Sequence, residues 1–160
     1  MSKCLSENNP IINLLSPQAD GSLTSAVISF KNVNRARIVV LMNQTEANQC
    51  TITLMQATDI AAATNKAVSN VVPIWYNSDT AASDAMTKTT SAKTYQFSAT
   101  HDKIKKVEFE IDPANAFDAA NSYDCFYLTS GGSNVANIIC AFAELEMKYK
   151  EDVLPSVIVD

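Results

Sequence analysis

Hydrophobic and polar side chains alternate along much of the chain, which is the pattern of β-strands that bury one face. The alternation is clearest where Val107, Phe109 and Ile111 occupy odd positions and charged side chains fill the even positions from 106 to 112. Residues 50–55 alternate in the same way, with apolar side chains on one face and threonines on the other. Both segments are therefore predicted to be half-buried strands.

Residues 134–150 fit both a helix and a strand. Their residue types, rich in Ala, Leu, Glu, Met and Lys, favour a helix. The four charged side chains near the end of the segment, however, all fall on even positions. At about 100° per residue these charges would scatter around a helix, whereas in a strand they share one face. A long strand is therefore predicted, and the apolar side chains of its other face are Ala141, Ala143, Leu145, Met147 and Tyr149.

The other elements are shorter. Residues 58–68 fit either a short helix or a loop, and residues 77–93 fit a surface loop or a loose hairpin. Pro73 cannot donate a hydrogen bond to a neighbouring strand, so its segment is expected at a sheet edge or a bulge. Short strands without a strand–helix–strand rhythm predict an all-β single domain, a β-sandwich or jelly roll. The remaining predicted strands are residues 25–30, 36–42, 71–76, 95–97 and 123–129.

The predicted sandwich spans residues 20–150, between an N-terminal arm of residues 1–19 and a C-terminal arm of residues 151–160. Each arm carries an apolar group that is a candidate contact with a neighbouring protein. The alternative for each arm is that it folds back on its own domain. The candidate contact residues are Ile11, Ile12, Leu14 and Leu15 in the N-terminal arm, and Val157, Ile158 and Val159 in the C-terminal arm.

Composition and charge narrow the possible functions. A chain of 160 residues can bury a core without metals or disulfides. The net charge of −5 and the lack of a basic run argue against nucleic-acid binding, which depends on clustered cations. No stretch has the apolar length of a membrane helix, and the first residues lack the apolar region of a signal peptide. We therefore expect a protein made in the cytoplasm that binds neither nucleic acid nor membrane.

The same reasoning predicts that the four cysteines are reduced thiols. A disulfide that includes Cys125, with either Cys50 or Cys140, is the alternative. Because three of the four cysteines lie in predicted strands, they are expected to be buried as small apolar side chains.

Few residues are suited to catalysis or metal binding. His101 is the one histidine, and it is expected to be a solvated loop residue because no cysteine is placed beside it with an oriented base. The sequence has no zinc-binding cysteine pair and no calcium-binding loop motif. A calcium site made by Asp112, Asp118 and Asp124 is the alternative to their role as turn and cap carboxylates. We therefore predict no catalytic residue, no metal, no cofactor and no enzymatic activity.

Trp75 and Tyr76 form the candidate recognition patch. Two aromatic side chains on an exposed surface can stack on a sugar ring, and burial of Trp75 in the core is the alternative. An exposed pair would favour a carbohydrate-binding module.

Several short phrases along residues 20–160 give the chain a specific resemblance. It resembles a family of short structural proteins of tailed bacteriophages, often encoded near the major capsid gene. The phrases that carry the resemblance are residues 20–25, 52–59, 109–113, 123–125, 133–137 and 155–160.

The resemblance implies a capsid cement or decoration protein with a β-sandwich or jelly-roll fold. Such a protein binds the outer surface of a shell formed by the major capsid protein, and it also contacts neighbouring copies of itself, often as a homotrimer. The implied location is the capsid exterior of the virion. The alternatives are a head–tail or tail component of the same virion, and a carbohydrate-binding module for host attachment.

Overall fold

Two antiparallel β-sheets, described for residues 9–149 and 156–158 of a computed structural model, make up the fold. Strands account for 53% and helices for 5% of the described residues, which confirms the predicted all-β sandwich. The six-stranded sheet has the order β1-β11-β3-β9-β6-β7, and the other sheet has the order β2-β10-β4-β5, with β8 also paired to β4. The strands are β1 (Ile11–Ala19), β2 (Ile28–Ser29), β3 (Val33–Gln44), β4 (Cys50–Ala57), β5 (Asn65–Ala67), β6 (Val72–Asn77), β7 (Thr87–Ala92), β8 (Thr94–Phe97), β9 (Lys103–Ile111), β10 (Cys125–Ser130) and β11 (Ile138–Met147), and the helical turns are α1 (Pro113–Ala116) and a 3-10 turn (Ala119–Asn121).

The alternating segments form strands with one buried face, as predicted. In β9 the side chains of Val107, Phe109 and Ile111 are buried, and in β4 the apolar side chains at even positions are buried. Residues 138–147 form the long strand β11, whose odd positions from Ile139 to Met147 are buried between the sheets. The period of two therefore outweighs the helical propensity of this segment, because a strand buries the apolar positions while the charged ones stay at the surface.

The core lies between the two sheets and includes a cluster of three phenylalanines. Phe30, Phe117 and Phe126 stack on one another, with ring centroids 5.3 Å apart for Phe30 and Phe117 and 5.4 Å apart for Phe30 and Phe126. Phe126 belongs to β10, and Phe117 follows the short helix α1. The cluster therefore packs the connection after β9 against the five-stranded sheet.

Three local features refine the sequence-based expectations. Residues 58–68 form turns and the short strand β5 rather than a helix, and Ala62 has the left-handed φ of 52°. Within residues 77–93, a connection leads from β6 into strand β7 (Thr87–Ala92), the hairpin partner of β6. The register of β6 against β7 shifts between Val72 and Ile74, so Pro73 lies at a bulge, as its missing N–H group predicts.

Residues 11–19 form the edge strand β1 rather than an extended arm. This strand pairs antiparallel with β11, with irregularities between Asn13 and Leu15 and between Leu15 and Gln18. Leu14 and Leu15 are buried in the core, which explains why the segment folds back on its own domain. Pro17 is tolerated there because one side of an edge strand has no hydrogen-bonded neighbour.

Gly132, in the turn between β10 and β11, has a backbone conformation that a larger residue could adopt only with strain. Its φ is +73°, and an added Cβ would lie 2.8 Å from the backbone nitrogen of Ser22. Gly132→Ala should therefore lower the free energy of unfolding by about 2 kcal/mol, measured by chemical denaturation. Gly131→Ala is the matched control, because its Cβ would make only ordinary contacts, the nearest at 3.5 Å. Equal stabilities of the two variants would contradict the strained conformation at Gly132.

Candidate functional site

The outward face of the six-stranded sheet is a candidate contact surface. On β11 the even positions face outward, and on β3 the odd positions from 35 to 43 do so, because the intervening side chains are buried in the core. Cross-strand register places Phe142 beside Val39 and Cys140 beside Leu41. The apolar side chains of this face are therefore contiguous across β11 and β3.

These outward side chains differ in how much of their surface is exposed to solvent. Val39 is 5% exposed, Ile104 is 44% exposed and Ile138 is 39% exposed, while Phe142 and Leu41 are half-buried. We call the set of Val39, Leu41, Ile104, Ile138, Cys140 and Phe142 the apolar patch. A contiguous apolar patch on the outside of a sheet is typical of a surface that another molecule covers.

Charged side chains border the apolar patch at one end and along β9. The Arg37 Nε donates a hydrogen bond of 2.9 Å to Glu144, and a terminal nitrogen of Arg37 lies 3.7 Å from Glu108. Lys106 pairs with Glu108 at 3.0 Å. The hydrogen bond to Glu144 raises the pKa of the Arg37 guanidinium. These pairs link charged side chains of β3, β9 and β11 beside the patch.

Arg35 and Glu146 are register partners on β3 and β11. The carboxylate of Glu146 accepts a hydrogen bond of 3.1 Å from the Asn34 side chain. Among residues 9–149 and 156–158, Arg35 makes no ion pair, although a carboxylate is its neighbour across the strands. Its guanidinium is thus available to an outside partner.

A groove of about 600 Å³ opens at the charged end of this face. Arg35 and Arg37 form one wall, and Val71 and Pro73 at the start of β6 form part of the opposite one. Val71 is 57% exposed. The groove has carboxylates as well as arginines, so it suits a mixed polar and apolar segment of another molecule more than a small anion. Its acidic residues are Glu110, Asp112, Glu144 and Glu146.

Trp75 and Tyr76 do not form one aromatic platform. Successive strand residues point to opposite faces, and Tyr76 packs against the core, with its ring centroid 5.9 Å from that of Tyr95. Trp75 faces outward and is half-buried, and the Lys88 ammonium lies 5.7 Å from its ring centroid. The predicted sugar-stacking pair is therefore divided between the two faces of β6.

The predicted terminal contact residues have different environments. Ile11 is 67% exposed at the edge of the sheet, whereas Leu14 and Leu15 are buried and Ile12 packs partly against the core. In the C-terminal segment Val157 is buried, and its carbonyl accepts a hydrogen bond of 2.7 Å from the Ser29 amide.

Of the other C-terminal candidates, Ile158 is 54% exposed. Val159 lies outside the described residues. Within the described part of the chain, Ile11 and Ile158 are thus the terminal candidates whose side chains stay open to a neighbour.

The residues considered for chemistry are His101, the cysteines, Asp112, Asp118 and Asp124. The His101 side chain is half-exposed, and its Nδ1 lies 2.8 Å from the carboxylate of its neighbour Asp102. Cys50 and Cys140 are free thiols. Burial raises the pKa of Cys50 to about 12. No group of three metal-ligating side chains occurs within residues 9–149 and 156–158, and the carboxylates of Asp112 and Asp118 bind Asn115 and Asn121.

A buried polar network closes one end of the sandwich. Asn137 is fully buried and its side-chain oxygen accepts hydrogen bonds from the Thr45 and Glu46 amides, at 2.9 and 2.8 Å. The buried carboxylate of Asp20 accepts hydrogen bonds from Ser130 and Ser133. The network therefore joins the turns after β1, β3 and β10.

Lys105 extends this end of the core. Although it is only 2% exposed, its ammonium donates hydrogen bonds to the Gln44 side chain at 2.8 Å and to the Ser98 carbonyl at 2.8 Å. Burial lowers the pKa of Lys105. Because its partners are neutral, Lys105 has a structural role. The sequence signal for its inward position is that residues 105 and 107 share one face of β9, and Val107 is buried.

The sequence analysis did not predict the apolar patch, because it treated the whole outer face of β11 as charged. The same even positions that carry Glu144 and Glu146 carry Ile138, Cys140 and Phe142 earlier in the strand. The sequence signal for the patch is this change along one face, from apolar side chains at the start of the strand to charged ones at its end.

Comparisons with known proteins add little. No family model matches the chain, and no curated protein matches it. Among solved structures, the chain is similar to one described as the structure of infectious bursal disease virus Gt strain, with 7% sequence identity and a TM-score of 0.23. The likeness covers 87% of this chain and 41% of that one, so the chain spans about two-fifths of that neighbour's length. So weak a likeness supports no statement about function. No helix within the described ranges is long and apolar enough to span a membrane.

Proposed function

We propose that this chain is a non-enzymatic structural protein of a tailed-bacteriophage particle, which binds the outer surface of the capsid shell and stabilises it. The observation that carries the proposal is the scatter of exposed apolar side chains over separate parts of the surface. Together with the resemblance of residues 20–160 to phage structural proteins, this scatter supports a protein that contacts several neighbours. The exposed side chains are Ile11, Val71, Ile104, Val135, Ile138, Tyr149 and Ile158.

Several separate contacts suit a cement protein for a physical reason. Each exposed apolar side chain contributes a small free energy of binding when it is buried. When one molecule bridges adjoining shell subunits, the second contact forms at a high effective concentration, so modest contacts give tight attachment. The net charge of −5 supports a place on the outside of the shell, away from the packaged DNA.

The major capsid protein is the proposed partner, and Val135 and Ile158 are proposed contacts. Val135 is 75% exposed in the turn between β10 and β11, and Ile158 lies beside the edge of the five-stranded sheet, next to the Val157 carbonyl that binds Ser29. Neither belongs to the outward face of the six-stranded sheet. These residues can therefore contact the shell while that face stays free.

Cryo-electron microscopy of the intact particle tests the proposal. We expect ordered density for the two sheets on the shell exterior, bridging adjoining subunits. Particles assembled without this chain should release their DNA at a lower temperature, and adding the purified protein should restore the original temperature. The double variant Val135→Asp and Ile158→Asp should restore it less well.

Other outcomes of the same experiment contradict the shell proposal. Density at the neck or tail would assign the chain to the head–tail or tail structure of the virion. Absence of the chain from purified particles would exclude a virion role altogether. In that case, binding of carbohydrates through Trp75 alone would be the hypothesis to test next.

A further inference from the structure

We propose that the outward face of the six-stranded sheet binds the same face of a second copy, which gives a two-fold symmetric dimer. This inference goes beyond the proposed function, because it concerns the pairing of two copies and needs no shell. It is carried by the apolar patch and by the pattern of charges beside it.

The arrangement follows from the register of β3 and β11. A two-fold axis parallel to the strands and between β3 and β11 places β11 of one copy over β3 of the other. Each side chain then faces the residue that is its cross-strand partner within one chain. Phe142 therefore faces Val39 of the second copy, and Cys140 faces Leu41, so apolar side chains cover apolar side chains.

The charged end of the face becomes complementary under the same symmetry. Glu144 faces Arg37 of the second copy, and Glu146 faces Arg35. Opposite charges thus meet at each of these positions, and each pair occurs twice because the axis is two-fold. Arg35, which makes no ion pair with the described residues of its own chain, gains a carboxylate partner.

The size of the overlap is sufficient for a specific but modest dimer. With β1 over β9 and β11 over β3, four strands of each copy overlap. The spacing between strands and the rise per residue give a covered area of about 600 Å² on each copy, or about 1,200 Å² in total. Stable interfaces begin at about this total area. Sheets that pack face to face in this way cross at about 30°, which the twist of each sheet accommodates.

Charge reversal tests the symmetry directly. Arg35→Glu alone places carboxylates opposite carboxylates, and Glu146→Arg alone places arginines opposite arginines. Each variant should dissociate with a dissociation constant about ten-fold higher than the original chain, measured by analytical ultracentrifugation. Glu46→Arg, in the exposed turn after β3, makes the same change of charge away from the face and should leave the constant unchanged.

Mixing the two variants gives the decisive result. In a mixed dimer the new glutamate of one copy faces the new arginine of the other, and Glu146 of the first faces Arg35 of the second. Both pairs are attractive, so an equimolar mixture should form heterodimers at concentrations at which each variant alone is monomeric. Native mass spectrometry with one variant isotope-labelled identifies them. An ion pair within one chain cannot produce this restoration.

Phe142→Asp tests the apolar centre, with Val135→Asp as the exposed control. We expect Phe142→Asp to weaken association about a hundred-fold, because the change occurs twice in the buried centre of the dimer. Circular dichroism checks that both variants fold.

Three outcomes would overturn the inference. They are a chain that stays monomeric up to millimolar concentration, a trimer or other oligomer that is insensitive to these changes, and a mixture that forms no heterodimers. Loss of the dimer with retained shell binding would leave the proposed function intact.

Discussion

Phe126→Ala should lower the free energy of unfolding by about 3–5 kcal/mol, enough to unfold a marginally stable domain. Phe126 is fully buried, and its ring stacks on Phe30 and lies 6.3 Å from the ring of Phe117. Removing the ring leaves a cavity between the connection that contains α1 and the five-stranded sheet. Because the neighbours are held by strands on both sides, they can relax only partly into the space.

Chemical denaturation followed by tryptophan fluorescence measures this effect, since Trp75 is the one tryptophan. Tyr149→Ala is the matched control: it also removes an aromatic ring, but from a residue that is 65% exposed. Its free energy of unfolding should stay within about 0.5 kcal/mol of the original. A comparable loss in both variants would show that the phenylalanine cluster has no special part in stability.

Asn137→Ala should lower the free energy of unfolding by about 3–4 kcal/mol, because buried donors lose their acceptor and cannot reach water. The amides of Thr45 and Glu46 both bind the side-chain oxygen, and the side-chain nitrogen donates to the Ser133 hydroxyl at 2.9 Å. Asn137→Asp keeps the acceptor but removes the donor and buries a charge beside Ser133. It should therefore be destabilising as well.

Hydrogen exchange locates the effect of Asn137. The amides of Thr45 and Glu46 should exchange faster in Asn137→Ala, whereas the amides of β6, which the network does not touch, should change less. Gln49→Ala, in the same connection between β3 and β4, is the control, because that residue is exposed. If the turn after β3 kept its protection in Asn137→Ala, the hydrogen-bond network would not be what holds it.

Strand identity followed from the sequence wherever one face is buried. β4, β9 and β11 were predicted because burial selects every second residue, and that selection is visible in the order of residue types. β1 was not predicted, because Pro10 and Pro17 bracket its apolar residues and suggest an arm. Only the pairing of β1 with β11, which joins distant parts of the chain, shows that an edge position makes Pro17 acceptable.

The candidate site was less predictable than the fold. Trp75 and Tyr76 are adjacent in sequence, and alternation along a strand already places them on opposite faces. The charges of Arg37, Glu108 and Glu144 come from three strands, and their proximity depends on the strand order, which periodicity alone does not give. The apolar patch is likewise a property of registers between β3, β9 and β11.

The pairing of β1 with β11 has a consequence for the time at which the protein folds. The Asn9 side chain donates a hydrogen bond to Glu144, 135 positions further along the chain. During synthesis, β3 has β9 available on one side long before β11 leaves the ribosome, and β1 has no partner until then. The six-stranded sheet can therefore close only after β11 (Ile138–Met147) has left the ribosome. Contacts of such range form slowly, on the order of milliseconds to seconds, so a nascent chain exposes the open edge of β3 to other proteins for the whole of that interval.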